Sequence, residues 1–126
     1  IVNKKQNDWL SKVIDSIKID QLSIPGTHNT GSGFAFKAAG NWNKCQSWNI
    51  KDQLDSGIRY LDMRVQFGKD MLLSHANFQF RNLLDELRVI KDWMKSNPKE
   101  FILMQFQQEY TDVDSWTAGK RVLEGF

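Results

Sequence analysis

Apolar positions along this chain change period from segment to segment, and each change marks an element. Trp9, Val13 and Ile17, with Leu10 and Ile14 beside them, recur at helical spacing and predict a first helix. Gln21 to Ile24 predicts a short strand, stopped by the turn pair Pro25-Gly26. A loop rich in Gly and Asn follows from Gly31 to Asn43. Ser47 to Ser56 predicts a short helix closed by Gly57 at its C-cap. From Ile58 to Val65 the alternation is strict, which predicts a strand. Tyr60, Asp62 and Arg64 share one face of it, and Leu61, Met63 and Val65 the other.

Met71 to His75 predicts another short strand. The best helical pattern spans Asn82 to Asn97, with Leu83, Leu87, Ile90 and Met94 in one stripe and Pro98 just beyond. Phe101 to Phe106 is an almost unbroken apolar run, as a strand buried on both faces would be. Asp114 then predicts the cap of a last helix running toward Gly125. Four strand candidates, each followed by a loop or helix, argue for βαβ units and a parallel sheet. A complete (β/α)₈ barrel takes ~250 residues. The expectation is therefore an α/β fold in which residues 1–126 form the N-terminal half of a TIM-type barrel. Half a barrel exposes strand edges, which natural proteins avoid. A second copy or another chain completing the sheet is accordingly an expected partner.

With 40% apolar residues in 126, the chain has material for a real core. Its net charge of +2 comes from nearly balanced acids and bases without long runs, so nucleic acid is not an expected partner. Cys45 stands alone, which excludes an intrachain disulfide and a thiolate metal cluster. No stretch reaches the ~18 apolar residues of a membrane span. The chain begins at Ile1 rather than Met and shows no leader segment, as a mature product or an excised piece would. Neither an internal repeat nor a low-complexity segment is present.

The candidate chemistry gathers at one end of the predicted strands. His28 follows the first, Asp62 and Arg64 close the second, His75 ends the third, and Gln107 and Glu109 end the fourth. In a parallel barrel these ends share the face where active sites are built. Both histidines of the chain land there. One neutral imidazole can take a proton from a hydroxyl while a second, protonated, gives one to a leaving oxygen. A guanidinium between them offers a planar fork to phosphate oxygens. That set suits phosphodiester cleavage. Taken singly, a strand-end histidine is usually a structural hydrogen-bonder, and Arg64 beside Asp62 a plain ion pair. Their joint placement is what favours a site.

The segment Ser23-Ile24-Pro25-Gly26-Thr27-His28-Asn29-Thr30 resembles the first signature of bacterial phosphatidylinositol-specific phospholipases C. Gln53 to Arg64 resembles the second, and His75 stands where that family has its second histidine. Asn97-Pro98-Lys99-Glu100 followed by Phe101 to Tyr110 is similar to the segment closing the family's X region. The resemblance runs from about Leu22 to Tyr110. It implies that His28 is the general base for the inositol 2-hydroxyl and His75 the general acid for the diacylglycerol oxygen. Arg64, oriented by Asp62, would take the part that calcium plays in eukaryotic relatives, so no cofactor is expected. The implied substrate is a phosphoinositide at a phospholipid membrane surface, and the implied setting is secreted or cell-surface. Arg64 and Gln107 would touch that substrate.

Four departures from the family pattern accompany this. Asn29 stands where bacterial members carry Asp, which weakens the expected support for a protonated His75. Ala76-Asn77 replace a Gly after the second histidine. The carboxylate that pairs with the base histidine in the family belongs to the second half of the barrel. Gln107 replaces a basic residue of bacterial members, or a metal-binding acid of eukaryotic ones. Two other readings therefore stand beside the enzyme: a headgroup-binding or interaction module of the same fold, and a calcium-dependent phosphodiesterase. Phe34, Phe36, Trp42 and Trp48 lie near the loop after His28, where aromatic rings either dip into a lipid surface or pack on neighbours.

Overall fold

A computed structural model describes residues 6–13, 15–34 and 43–126. Three helices carry the local signals expected of them. Asn49 caps α1 (Ile50–Asp55) by accepting from the Asp52 N–H, and Asn82 caps α2 (Leu83–Ser96) by accepting from Leu84. Asp85 and Glu86 sit in the first turn of α2 and Lys95 in its last, as the helix dipole favours. Burial pushes the Glu86 carboxyl above its ordinary range, although Arg81 lies 2.7 Å away and opposes the shift. Asp114 caps α3 (Ser115–Gly125) through Thr117 N–H, as the sequence predicts.

Among the described residues five strands form one sheet: β1 (Gly26–Thr27), β2 (Tyr60–Phe67), β3 (Met71–His75), β4 (Phe78–Asn82) and β5 (Leu103–Gln108). β1 and β5 run parallel to β2, whereas β3 and β4 form an antiparallel hairpin extension from it. Leu61, Met63, Val65 and Phe67 pack beneath the sheet with Leu83, Leu87, Ile90 and Trp93 of α2, Ile50 and Leu54 of α1, and Ala118 and Val122 of α3. Tyr60, Asp62, Arg64 and Gln66 take the opposite face. The alternation read from the sequence is the one the sheet uses.

Several expectations are corrected. The strand expected at Gln21 to Ile24 lies later, at Gly26–Thr27, and Ile19–Gln21 is instead a single 3₁₀ turn. The first helical pattern yields only a 3₁₀ turn at Leu10–Lys12, with Ile14 outside the described residues. Its one buried apolar residue, Leu10, gives a longer helix too little to dock on. The loop from Gly31 holds a 3₁₀ turn at Thr30–Phe34, while residues 35–42 lie outside the description. β3 matches its predicted bounds but runs antiparallel, and β4 was not anticipated. Its alternating Phe-Gln-Phe-Arg is short and flanked by no turn glycine. β5 is not buried on both faces, because Gln105 and Gln107 are exposed.

One buried residue organises these elements. Arg59, at zero exposure, donates Nε to Glu100 Oε2 at 2.9 Å and Nη1 to the carbonyls of Leu54 and Ile58. Its Nη2 reaches Asn7 O, and its guanidinium lies 4.6 Å from the centre of the Trp93 ring. Glu100 Oε1 in turn accepts from Ser11 N. Gly57, two positions before Arg59, adopts φ +100 with a Cβ position already crowded by Gln6, so glycine is required there.

Removing either charge strands the other in the interior. Arg59→Met or Glu100→Gln should each cost about 3–5 kcal/mol in urea denaturation, with the paired replacement costing less than the sum. A second expectation concerns the two-residue link between β3 and β4. Such hairpin links need a positive φ at their first residue, and Ala76 holds φ +52 there. A left-handed non-glycine residue is strained by ~1–2 kcal/mol, against ~0.5–1 for glycine's entropy. Ala76→Gly should therefore stabilise the chain by roughly 0.5–1 kcal/mol, read as a raised denaturation midpoint.

Candidate active site

The register of β2 sets where each histidine leaves the sheet. β5 pairs with β2 from Tyr60 to Val65, so it occupies one whole edge. β1, opposite Tyr60–Leu61, and β3, opposite Val65–Phe67, must then share the other edge. β1 runs up that edge, and His28 follows directly after it. β3 runs down it and ends at His75. The first of these ends lands beside Asp62 and Arg64, with His28 Nδ1 3.2 Å from Asp62 Oδ2. The sequence placed His75 at the end of a parallel strand, and an antiparallel one delivers it from the opposite direction.

Asp62 is the centre of the cluster. Its Oδ2 accepts from Asn29 N at 2.9 Å and Arg64 Nε at 3.1 Å, and lies 3.2 Å from His28 Nδ1. The Asp62 amide donates to Thr30 Oγ1 at 2.9 Å, which fixes the strand beneath the carboxylate. Arg64 Nη2 also lies 3.4 Å from His28 Nδ1. A guanidinium only donates and a carboxylate only accepts, and the carboxylate is the nearer of the two, so the tautomer that fits the shorter contact carries its proton on Nδ1, toward Asp62. The Nε2 lone pair of His28 is thereby left available to act as a base. The sequence assigned Asp62 to Arg64 alone. Here the same oxygen orients His28 as well.

Asn29 itself is buried at φ +45, a conformation asparagine tolerates better than most residues. Its backbone N–H serves Asp62, while its side-chain Nδ2 makes no hydrogen bond. The loop bearing His28 and Asn29 is held from below. Gln53, fully buried in α1, accepts from Thr27 Oγ1 at 2.7 Å and donates to the carbonyls of Thr30 and Trp48. Gln46 Nε2 reaches the His28 carbonyl at 2.7 Å.

His28, Tyr60, Asp62, Arg64, Gln105 and Gln107 line an open cleft of about 330 Å³. Tyr60 donates its hydroxyl to Gln105 on its floor. His75 is not among the lining residues. Its Nδ1 lies 3.4 Å from Asn43 O and 3.9 Å from Cys45 Sγ. Sequence reasoning saw Glu109 only as a strand-end residue. The structure joins it to the cluster, with Oε1 3.4 Å from Arg64 Nη1 and 3.5 Å from Gln107 Nε2. Its spacing of two from Gln107, which keeps it on the same strand face, was the available signal. Of the aromatic residues, Phe34 is half-buried with the Arg81 guanidinium over its ring, and Trp48 is exposed. Phe36 and Trp42 lie outside the described residues. Among the described residues no group of three or more His, Cys, Asp or Glu side chains is arranged to hold a metal ion.

Known proteins share this arrangement of chain. The 1-phosphatidylinositol phosphodiesterase of Listeria monocytogenes is 34% identical over 116 residues, covering 86% of this chain and 35% of that protein. The solved phosphatidylinositol-specific phospholipase C of Listeria monocytogenes matches with a TM-score of 0.78 and 30% identity, over 94% of this chain and 44% of that one. A Staphylococcus aureus phosphatidylinositol-specific phospholipase C, solved in work on its membrane binding, matches with a TM-score of 0.80 and 27% identity. That match covers 90% of this chain and 38% of that one. The chain thus spans less than half the length of these relatives, and its fold is that of part of their TIM-type barrel. The PI-PLC X family model (PI-PLC X 1) matches residues 16–121, nearly the whole sequence. The chain belongs to the PI-PLC X family.

Proposed function

We propose that this chain carries the core of a phosphatidylinositol-specific phospholipase C site, a phosphodiesterase that releases diacylglycerol and an inositol cyclic phosphate. The observation that carries the reading is the shared carboxylate. Asp62 Oδ2 lies within 3.2 Å of both His28 Nδ1 and Arg64 Nε, so the base and the phosphate clamp are oriented together. His28 Nε2 takes the proton of the inositol 2-hydroxyl, and the resulting oxygen attacks phosphorus. Arg64 stabilises the charge that grows on the non-bridging oxygens. The bond from phosphorus to the diacylglycerol oxygen breaks as His75 protonates that oxygen. The ring closes as an inositol 1,2-cyclic phosphate. The relatives named for phosphatidylinositol, and the one studied for membrane binding, support a lipid surface as the site of action. Exposed Trp48 supports it too. The same reading carries the proposal that the protein is secreted or surface-acting.

Calcium does not suit this donor set. A calcium ion wants several oxygen ligands, chiefly carboxylates. Asp62 Oδ2 already serves three donors, Glu109 is taken up by Arg64 and the Ala76 N–H, a guanidinium stands between the two carboxylates, and Gln107 contributes no charge. Arg64 fills the part on this reading. A headgroup-binding module without turnover is the second reading, favoured by one observation: His75 does not line the cleft that His28 does.

In the full-length gene product acting on phosphatidylinositol vesicles, His28→Ala should lower kcat by ~10²–10⁴-fold. Cleavage at the unsubstituted rate would remove His28 from the mechanism. Vesicle binding with no released product in the parent protein would instead favour the binding module. Activity should persist in excess chelator, with Arg64→Ala lowering kcat more than it raises KM. Loss in chelator that added calcium reverses would establish the calcium-dependent alternative.

A further inference from the structure

We infer that Glu109 is a positioning residue that couples Arg64 to the turn bearing His75, an inference that rests on the phosphodiesterase reading and deepens it. Its backbone is pinned first, because Glu109 N–H donates to Val65 O at 2.9 Å and extends β5 beyond Gln108 along β2. From there the side chain crosses the face of β2. Oε1 lies 3.4 Å from Arg64 Nη1, and Oε2 accepts from Ala76 N at 3.3 Å. One carboxylate thus spans three segments of the sheet: the end of β5, the middle of β2 and the turn after β3.

Each end of that span matters to the chemistry. Arg64 is held at Nε by Asp62 and at Nη1 by Glu109, so its guanidinium plane is fixed by two carboxylates on different strands. Ala76 directly follows His75 and holds a left-handed backbone at φ +52, a conformation that survives only where surroundings over-determine it. Glu109 takes its N–H, and Gln66 Nε2 donates to its carbonyl at 2.7 Å. The peptide after His75 is therefore gripped from both sides by residues of the cleft face. The Glu109 side chain is 11% exposed, which separates it from the solvent-screened ion pairs elsewhere on the surface. Both contacts are at the long end for hydrogen bonds, so Glu109 acts as an aligner whose removal misplaces the groups without unfolding them.

Glu109→Gln keeps the volume and one acceptor but loses the charge, and Glu109→Ala removes both contacts. In the full-length gene product on phosphatidylinositol vesicles, Glu109→Gln should lower kcat by ~10–100-fold, as small misplacements do. Its KM should stay within about threefold, and the same change in an Arg64→Ala background should cost less than about threefold. Amide exchange at Ala76 and at Arg64 Nε, followed by nuclear magnetic resonance, should quicken in Glu109→Ala. A kcat for Glu109→Gln within about threefold of the parent overturns the inference, as does a penalty that multiplies in full on Arg64→Ala. A parent without turnover sinks the phosphodiesterase reading alone. Exchange then decides Glu109: quickened at both positions it supports the coupling, unchanged at both it overturns it.

Discussion

A buried arginine is the constraint from which the rest of this structure follows. Arg59 N–H donates to Pro25 O at the foot of β1, and Arg59 O accepts from Leu103 N at the start of β5, at 2.9 and 2.8 Å. Its backbone therefore aligns both parallel neighbours with β2 at one level. Its side chain simultaneously binds the N-terminal segment through Asn7, the end of α1 through Leu54, and the link between α2 and β5 through Glu100. A charge taken out of water is tolerable only when fully paired, so each of these segments must arrive together. Trp93, stacked on the guanidinium, passes the same constraint to Asp55 through its indole N–H.

Asp62 lies three positions beyond Arg59, about 10 Å along a strand. That short distance explains the density of the motif from Gln53 to Arg64. Its first part builds the base of the sheet, with Gln53 tying the His28 loop to α1 and Arg59 tying the strands. Its second part presents the polar groups of the cleft. Because β2 is rigid and paired on both edges, the register set at Arg59 fixes where Asp62 and Arg64 stand relative to His28. The precision of the cluster is inherited from the interior beneath it.

How much of this the sequence discloses depends on whether a feature is local. The alternation of β2, the stripe of α2 and the cap at Asp114 are local, and they are read correctly. The two histidines, Asp62 and Arg64 are recognisable because motif spacing carries them. What escapes is relational. Nothing in Met71 to His75 states its direction, since a five-residue strand has the same pattern either way. The hairpin with β4 emerges only from pairing. The partners of Glu109 escape for the same reason, because they are 45 and 33 residues away in the chain. The first helix fails through the reverse error, an apolar spacing that finds almost no core to cover.

The cluster also shows how a guanidinium can be both fixed and useful. Arg64 has five N–H groups, of which Nε–H is engaged by Asp62 and one on Nη1 by Glu109. The three others are not spent on carboxylates. On the proposed reading they are what a phosphate meets, in an orientation already set before it arrives. The two flanking carboxylates reduce the net charge of the site and so weaken long-range attraction for an anion. In return they remove the reorganisation that a free arginine would need when charge develops on the phosphate. Preorganised donors act mainly on the transition state, whereas net charge acts on the bound substrate as well. On the same proposed reading, a site that shares one aspartate oxygen between its histidine and its arginine, and adds a second carboxylate across the sheet, is therefore arranged for turnover more than for tight holding of the headgroup.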